Sequence, residues 1–196
     1  MDFSKRFLKE VIKTTKGIST KDIETAITLL RITQFGRRNL FIVGNGGSHA
    51  SASHAVNDFR KICGMNAFTP FDNASEMTAH INDGGWDDSI VAWMELFSPR
   101  MHDTLLVLSV GGGNEDKNIS SNIINAIRFA KKSMTFVISI VGRKEFAYSE
   151  SDVSIFIPAK KDIVTPISES FHSVVCHLLV SHPKLKQNQT KWESLE

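Results

Sequence analysis

Four apolar runs limit what this chain can fold into: "NLFIVG" (39–44), "TLLVLSVGGG" (104–113), "MTFVISIVG" (134–142) and "DVSIFIP" (152–158). None of them alternates apolar with polar residues, so each reads as a strand buried on both faces. The segments between them carry helical periodicity. Helices are predicted over 47–62, about 118–132 and about 163–182, the last with Ile167, Phe171, Val174, Val175, Leu178 and Leu179 as apolar positions. Strands of this kind alternating with helices predict an α/β fold, a doubly wound and mainly parallel sheet flanked by helices.

Two helices precede the first strand. Phe3, Phe7, Leu8, Val11 and Ile12 recur at helical spacing over 2–16, and Gly17 ends that run. Ser19 can cap the next helix, with Asp22 in its first turn and Ile23, Ala26, Ile27, Leu30 and Ile32 as its apolar stripe. Such an arm either covers the sheet or builds an oligomer interface. The pattern predicts one domain: a helical arm (1–36), an α/β core (37–183) and a polar tail (184–196).

Composition narrows the partners. Twenty-three basic residues against 21 acidic ones give a net charge of +2, too balanced for a nucleic-acid surface. Cys63 and Cys176 are far apart, with no CxxC spacing, which argues against a disulfide framework or a cysteine zinc site. The N-terminal segment has no apolar leader core, and no run reads as a membrane span. The expectation is a soluble, cytoplasmic protein without a nucleic-acid or membrane partner.

Two predicted strands end in glycine-rich turns, "GNGGSH" (44–49) and "SVGGGNEDKNISSN" (109–122). In an open parallel sheet ligands bind beyond the carboxyl ends of the strands. Glycines let backbone N–H groups approach an anion, and the following helix adds its positive end. There is no GxxxxGK[ST], and "GNGGSHA" lacks the third glycine of GxGxxG, so the nucleotide readings fail on spacing. A small phosphorylated ligand or two plain turns remain. Ser48, Ser109, Ser120 and Ser121 are the hydroxyl donors at hand.

His54 and Asp58 are four residues apart, one turn along a single helix face. Glu169 and His177 are eight apart on the last helix, about 80° around its axis. Two imidazoles and two carboxylates suit a zinc ion and equally suit proton transfer. Spacing alone leaves open whether the two helices meet. His49 reads as a helix-start residue beside the first turn, and His172 as helix surface or core edge.

The stretches "VGNGGSHASASHAVND", "DNASEMTAHINDGGWDD" (72–88) and "TPISESFHSVVCHLLVSHP" together resemble the sugar isomerase (SIS) domain family, nearest to the phosphoheptose isomerases. The likeness runs through nearly the whole chain. It implies a homotetramer with active sites at subunit interfaces. It also implies conversion of sedoheptulose 7-phosphate to a D-glycero-D-manno-heptose 7-phosphate, the first step towards nucleotide-activated heptoses. By position, Asn45, Gly46, Gly47 and Ser48 match the first substrate loop, and Asn82 and Asp83 match a pair that contacts sugar hydroxyls. Ser109 begins the phosphate loop. His54, Asp58, Glu169 and His177 match the positions for zinc and for acid–base work, with Asp58 and His177 the catalytic pair and Glu169 also facing substrate.

Three departures stand out. The family usually has Glu at position 58 and Gln at 169. Its "STSGNS" loop is here longer and glycine-rich, which shifts the expected phosphate contacts to Gly111, Gly112 and Ser120 or Ser121. A non-catalytic SIS scaffold or sensor, or an isomerase of another phosphosugar, is the competing reading. The four-residue polar cluster favours the enzyme, since a scaffold has no need of convergent ligands.

Overall fold

The computed structural model describes residues 2–195. The arm is α1 (Phe3–Gly17) and α2 (Thr20–Phe35). The core follows as β1 (Asn39–Gly44), α3 (Gly47–Lys61), β2 (Asn66–Phe68), α4 (Ala74–Gly84), α5 (Ser89–Glu95), β3 (Thr104–Ser109), α6 (Ser121–Lys132), β4 (Phe136–Val141), α7 (Phe146–Glu150), β5 (Val153–Phe156) and α8 (Val164–Ser181). All strand pairs are parallel, in the order β2-β1-β3-β4-β5. The four predicted strands are present. β2, of only three residues, is the addition, and it is too short to leave a periodic signal.

The continuous apolar runs divide between two cores by the two-residue period of a strand. Leu40, Ile42, Leu106, Leu108, Ile138 and Ile140 face α2, α3 and α8. Phe41, Val43, Leu105, Val107, Val137 and Val141 face the layer of α4 to α7. The chain progresses outward in opposite directions from β1 and β3, so the sheet has its switch point between those two strands.

The arm resolves into two different roles. α2 covers the sheet, with Ala26, Ile27 and Leu30 fully buried. Its phase differs from the predicted stripe: Ile32 is exposed and Thr33 takes the inward position. The Thr33 hydroxyl is satisfied there by the His102 carbonyl at 2.9 Å and by Thr104 Oγ1 at 2.6 Å, so its burial costs little. α1 lies outside, with Phe7 and Val11 against the core and Phe3, Leu8 and Ile12 exposed.

α8 is apolar enough, with the turn before it (Lys161–Ser181), to pass as a membrane span by length and composition, contrary to the sequence reading. Half of it is buried inside the fold, where it packs on α3, β3 and β4 as a core helix. His172, read from sequence as surface or core edge, is fully buried on this helix. The Ile140 backbone faces its ring without making a complete hydrogen bond. Burial pushes the imidazole down from 6.5 to about 4. A neutral His172 therefore adds stability above pH 6.5 that is lost as the pH falls towards 4, because the unfolded chain takes up the proton first. Urea unfolding of a His172→Leu variant should show it gaining about 3 kcal/mol on the parent between pH 7 and pH 4. A pH-independent difference would contradict a neutral buried imidazole.

Candidate metal and acid–base site

The first glycine turn is imposed by backbone geometry. Gly46 has φ +57 and ψ −127, a conformation closed to residues with a Cβ, and it turns the chain from β1 directly into α3. The Asn45 side chain then reaches across the switch point. It exchanges two amide hydrogen bonds with Asn122 at the start of α6, both 3.0 Å. Ser48 is buried in the first turn of α3.

α3 packs lengthwise on α8, and residues of the two helices face one another in order. The Glu169 carboxylate lies so close to Gly47 that a Cβ there would sit 2.6 Å from it. One turn on, Ser51 Oγ is 3.4 Å from Ser173 Oγ. Further along, His54 Nε2 and His177 Nε2 are 3.2 Å apart, and Asp58 Oδ2 is 3.4 Å from each. The Asp58 side chain is 13% exposed and the histidines are more than half exposed, so the triad is rooted on the carboxylate and opens outward.

Those three distances suit a metal. Zinc bonds of about 2.0–2.1 Å at the tetrahedral angle place ligand atoms about 3.3–3.4 Å apart. Two imidazole nitrogens and one carboxylate oxygen are a donor set that would suit zinc, with room for one further ligand on the outward side. Cys63 and Cys176 add nothing to the set. Burial first, and then the Asp58 charge, push both thiols up to about 12, so they stay protonated.

Glu169 corrects the four-ligand expectation within one chain. It lies eight residues, about 12 Å of helix axis, from His177, and the metal-competent group among the described residues is His54, Asp58 and His177. Asn82 and Asp83 occupy the last turn of α4, exposed, with Asn82 Nδ2 donating to Asp83 Oδ1 at 2.9 Å and neither bonded to the triad. His49 is packed edge-on against Phe71, and burial lowers its pKa.

The second turn is more occupied than its sequence suggests. Ser109 Oγ accepts the Gly112 N–H at 2.9 Å. Asn114 and Ile119 exchange two backbone hydrogen bonds, so the additional length forms a small hairpin. Ser120 has a left-handed backbone, φ +55, before α6, and Ser121 donates its hydroxyl to Asp87. Gly112 N–H and the Ser121 hydroxyl, both expected to serve phosphate, thus already have partners. Sequence reasoning passed over Asp87, since an acidic residue gives no sign of docking on a distant helix start.

Zinc titration by calorimetry should give one ion per chain. His54→Ala or His177→Ala should weaken binding at least 100-fold, while Glu169→Ala should stay within about threefold. Equal losses for all three variants would restore Glu169 as a ligand.

No protein-family model matches the chain. It is 35% identical over 150 residues to the lincomycin biosynthesis protein LmbN of Streptomyces lincolnensis, covering 71% of this chain but only 54% of that relative. A phosphoheptose isomerase of Buchnera aphidicola is 28% identical over 187 residues, 92% of this chain and 90% of its own length. In three dimensions the chain is similar to the phosphoheptose isomerase GmhA of Neisseria gonorrhoeae, with a TM-score of 0.78, 22% identity, and coverage of 90% of this chain and 94% of that one. In sequence along nine-tenths of its length and in its fold, this chain is similar to phosphoheptose isomerases.

Proposed function

We propose that this chain is a phosphosugar isomerase that interconverts sedoheptulose 7-phosphate and an aldoheptose 7-phosphate. The observation that carries the reading is the triad itself: His54 and Asp58 on α3 meet His177 on α8, with their polar atoms 3.2–3.4 Å apart at one outward-facing point. Two imidazoles and a carboxylate at one point suit proton transfer between adjacent carbons. The likeness to phosphoheptose isomerases over nine-tenths of the chain supports the same substrate.

Aldose–ketose isomerisation moves a proton between C1 and C2 through an enediolate, which needs a base, an acid and stabilisation of the developing oxyanion. Asp58 and His177 share the proton transfer, since both present acceptor atoms at the same outward-facing point. His54 holds His177 and Asp58 in register. A zinc ion on His54, Asp58 and His177, when bound, would polarise the carbonyl as a Lewis acid and occupy the His177 nitrogen, which would leave the second Asp58 oxygen to move the proton.

The reading extends to assembly. In one chain the triad lies on an open helix surface. A cavity of about 640 Å3, lined by residues such as Arg6, Lys13 and Lys160, includes none of the site residues. Val174 and Leu178 flank His177 and are exposed, as are Leu8 and Ile12 on α1. A homotetramer that buries these apolar faces would wall the triad and bring Asn82, Asp83 or Glu169 to substrate from a neighbouring subunit. A cytoplasmic setting fits a phosphosugar substrate.

Turnover of sedoheptulose 7-phosphate, followed by product analysis, tests the reading. Wild-type protein should form aldoheptose 7-phosphate, lose activity to a chelator and regain it with zinc. His177→Ala should lower kcat at least 1000-fold with an unchanged melting temperature. A folded wild-type protein inert on this substrate but active on a shorter phosphosugar would assign the hairpin loop to a different specificity. Inertness on all phosphosugars would favour a binding protein.

A further inference from the structure

A small cavity of about 40 Å3 lies between the loops that follow β3 and β4, with Gly111, Gly113, Lys117, Arg143 and Glu145 in its walls. The two loops are bound together. Gly142 N–H donates to the Val110 carbonyl at 3.1 Å, and Ala147 N–H to the Gly112 carbonyl at 2.8 Å. Arg143 is therefore fixed beside the glycine turn at the carboxyl end of a central strand, where ligands of such sheets bind.

Arg143 is half-buried, and its guanidinium has no hydrogen bond or ion pair among the described residues. Lys117, in the same cavity, likewise has no side-chain partner among the described residues, whereas other cations nearby in sequence are engaged. Arg128 pairs with Glu115 and Lys131 with Glu150, each at 2.6 Å, and Lys144 lies over the rings of Tyr148 and Phe156. The carboxylate in the same cavity, Glu145, accepts from Asn114 Nδ2 at 2.9 Å. A guanidinium in a cavity wall with no protein acceptor keeps its donors available to an anionic ligand. The adjoining turn lacks the complementary part. It has glycines in place of hydroxyls, and two of its expected donors are already bonded to Ser109 and Asp87.

We propose that Arg143, assisted by Lys117, binds the phosphate group of the substrate and takes over the work that hydroxyls do in serine-rich loops. A guanidinium fork matches two phosphate oxygens at once, and the Lys117 ammonium adds a point charge at the rim. This inference rests on the phosphosugar reading above.

Two measurements on the full chain test it. In steady-state turnover of sedoheptulose 7-phosphate, Arg143→Ala should raise KM at least tenfold with kcat within threefold, and Arg143→Lys should recover part of the loss. Lys144→Ala, which removes an equal charge one residue away, should leave KM within twofold. In thermal-shift titrations with inorganic phosphate, wild type should be stabilised and Arg143→Ala should not. An unchanged KM in Arg143→Ala, or an equal rise in Lys144→Ala, would overturn the assignment, as would phosphate protection that survives the Arg143 substitution. If wild type turns over no sedoheptulose 7-phosphate but phosphate still protects it through Arg143, the substrate reading fails and the anion site stands.

Discussion

The packing of α3 on α8 is the contact on which the rest depends. It is held by apolar burial. Fully buried Phe59 on α3 and Ile167 and Leu179 on α8 each contribute about 1.5–3 kcal/mol. An exposed ion pair such as His54 with Asp58 contributes at most about 1 kcal/mol. The polar triad is thus carried by the helix pair and does little to hold it together. Small residues make the close approach possible: Ala52 and Ala55 are buried against the sheet, and Gly47 leaves the space that the Glu169 carboxylate occupies. Ligands mounted on two core helices keep their distances as a loop-borne set would not.

Electrostatics explains why the two glycine turns are not equivalent. Each precedes a helix whose first turn attracts negative charge, and each already has a carboxylate nearby: Glu169 beside Gly47, and Asp87 on Ser121. The second region also has two cations in a cavity beside its turn, Lys117 and Arg143, whereas the first has imidazoles and a carboxylate further along α3. Charge therefore separates the phosphate end of the proposed substrate from its reacting end.

Most of the fold was legible because strands buried on both faces leave continuous apolar runs, which few other structures share. β2 was not, since three residues at a sheet edge carry no period. The phase of α2 was misread at Ile32 because hydropathy does not show that Thr33 has two partners waiting inside. In the site, the i,i+4 spacing of His54 and Asp58 identified one face and the last helix offered His177, but spacing alone left open that the two helices meet. Eight residues of helix already set Glu169 about 12 Å along the axis from His177, and it was the resemblance that grouped them as one ligand set. Asn82 and Asp83 followed from the resemblance alone, and the helix that Asn73 caps and that runs through both was not predicted. Arg143 passed unnoticed although it follows a strand end, because a single arginine has no meaning until its lack of a protein acceptor is seen.

The central claim is that the α3–α8 triad moves a proton between two adjacent carbons. Isomerisation in deuterated water, followed by proton NMR of the sugar carbons, tests it most directly. The account predicts deuterium at the carbon beside the carbonyl with wild-type protein and none with an Asp58→Ala/His177→Ala double variant that remains folded. Exchange at the wild-type rate in that double variant would contradict it.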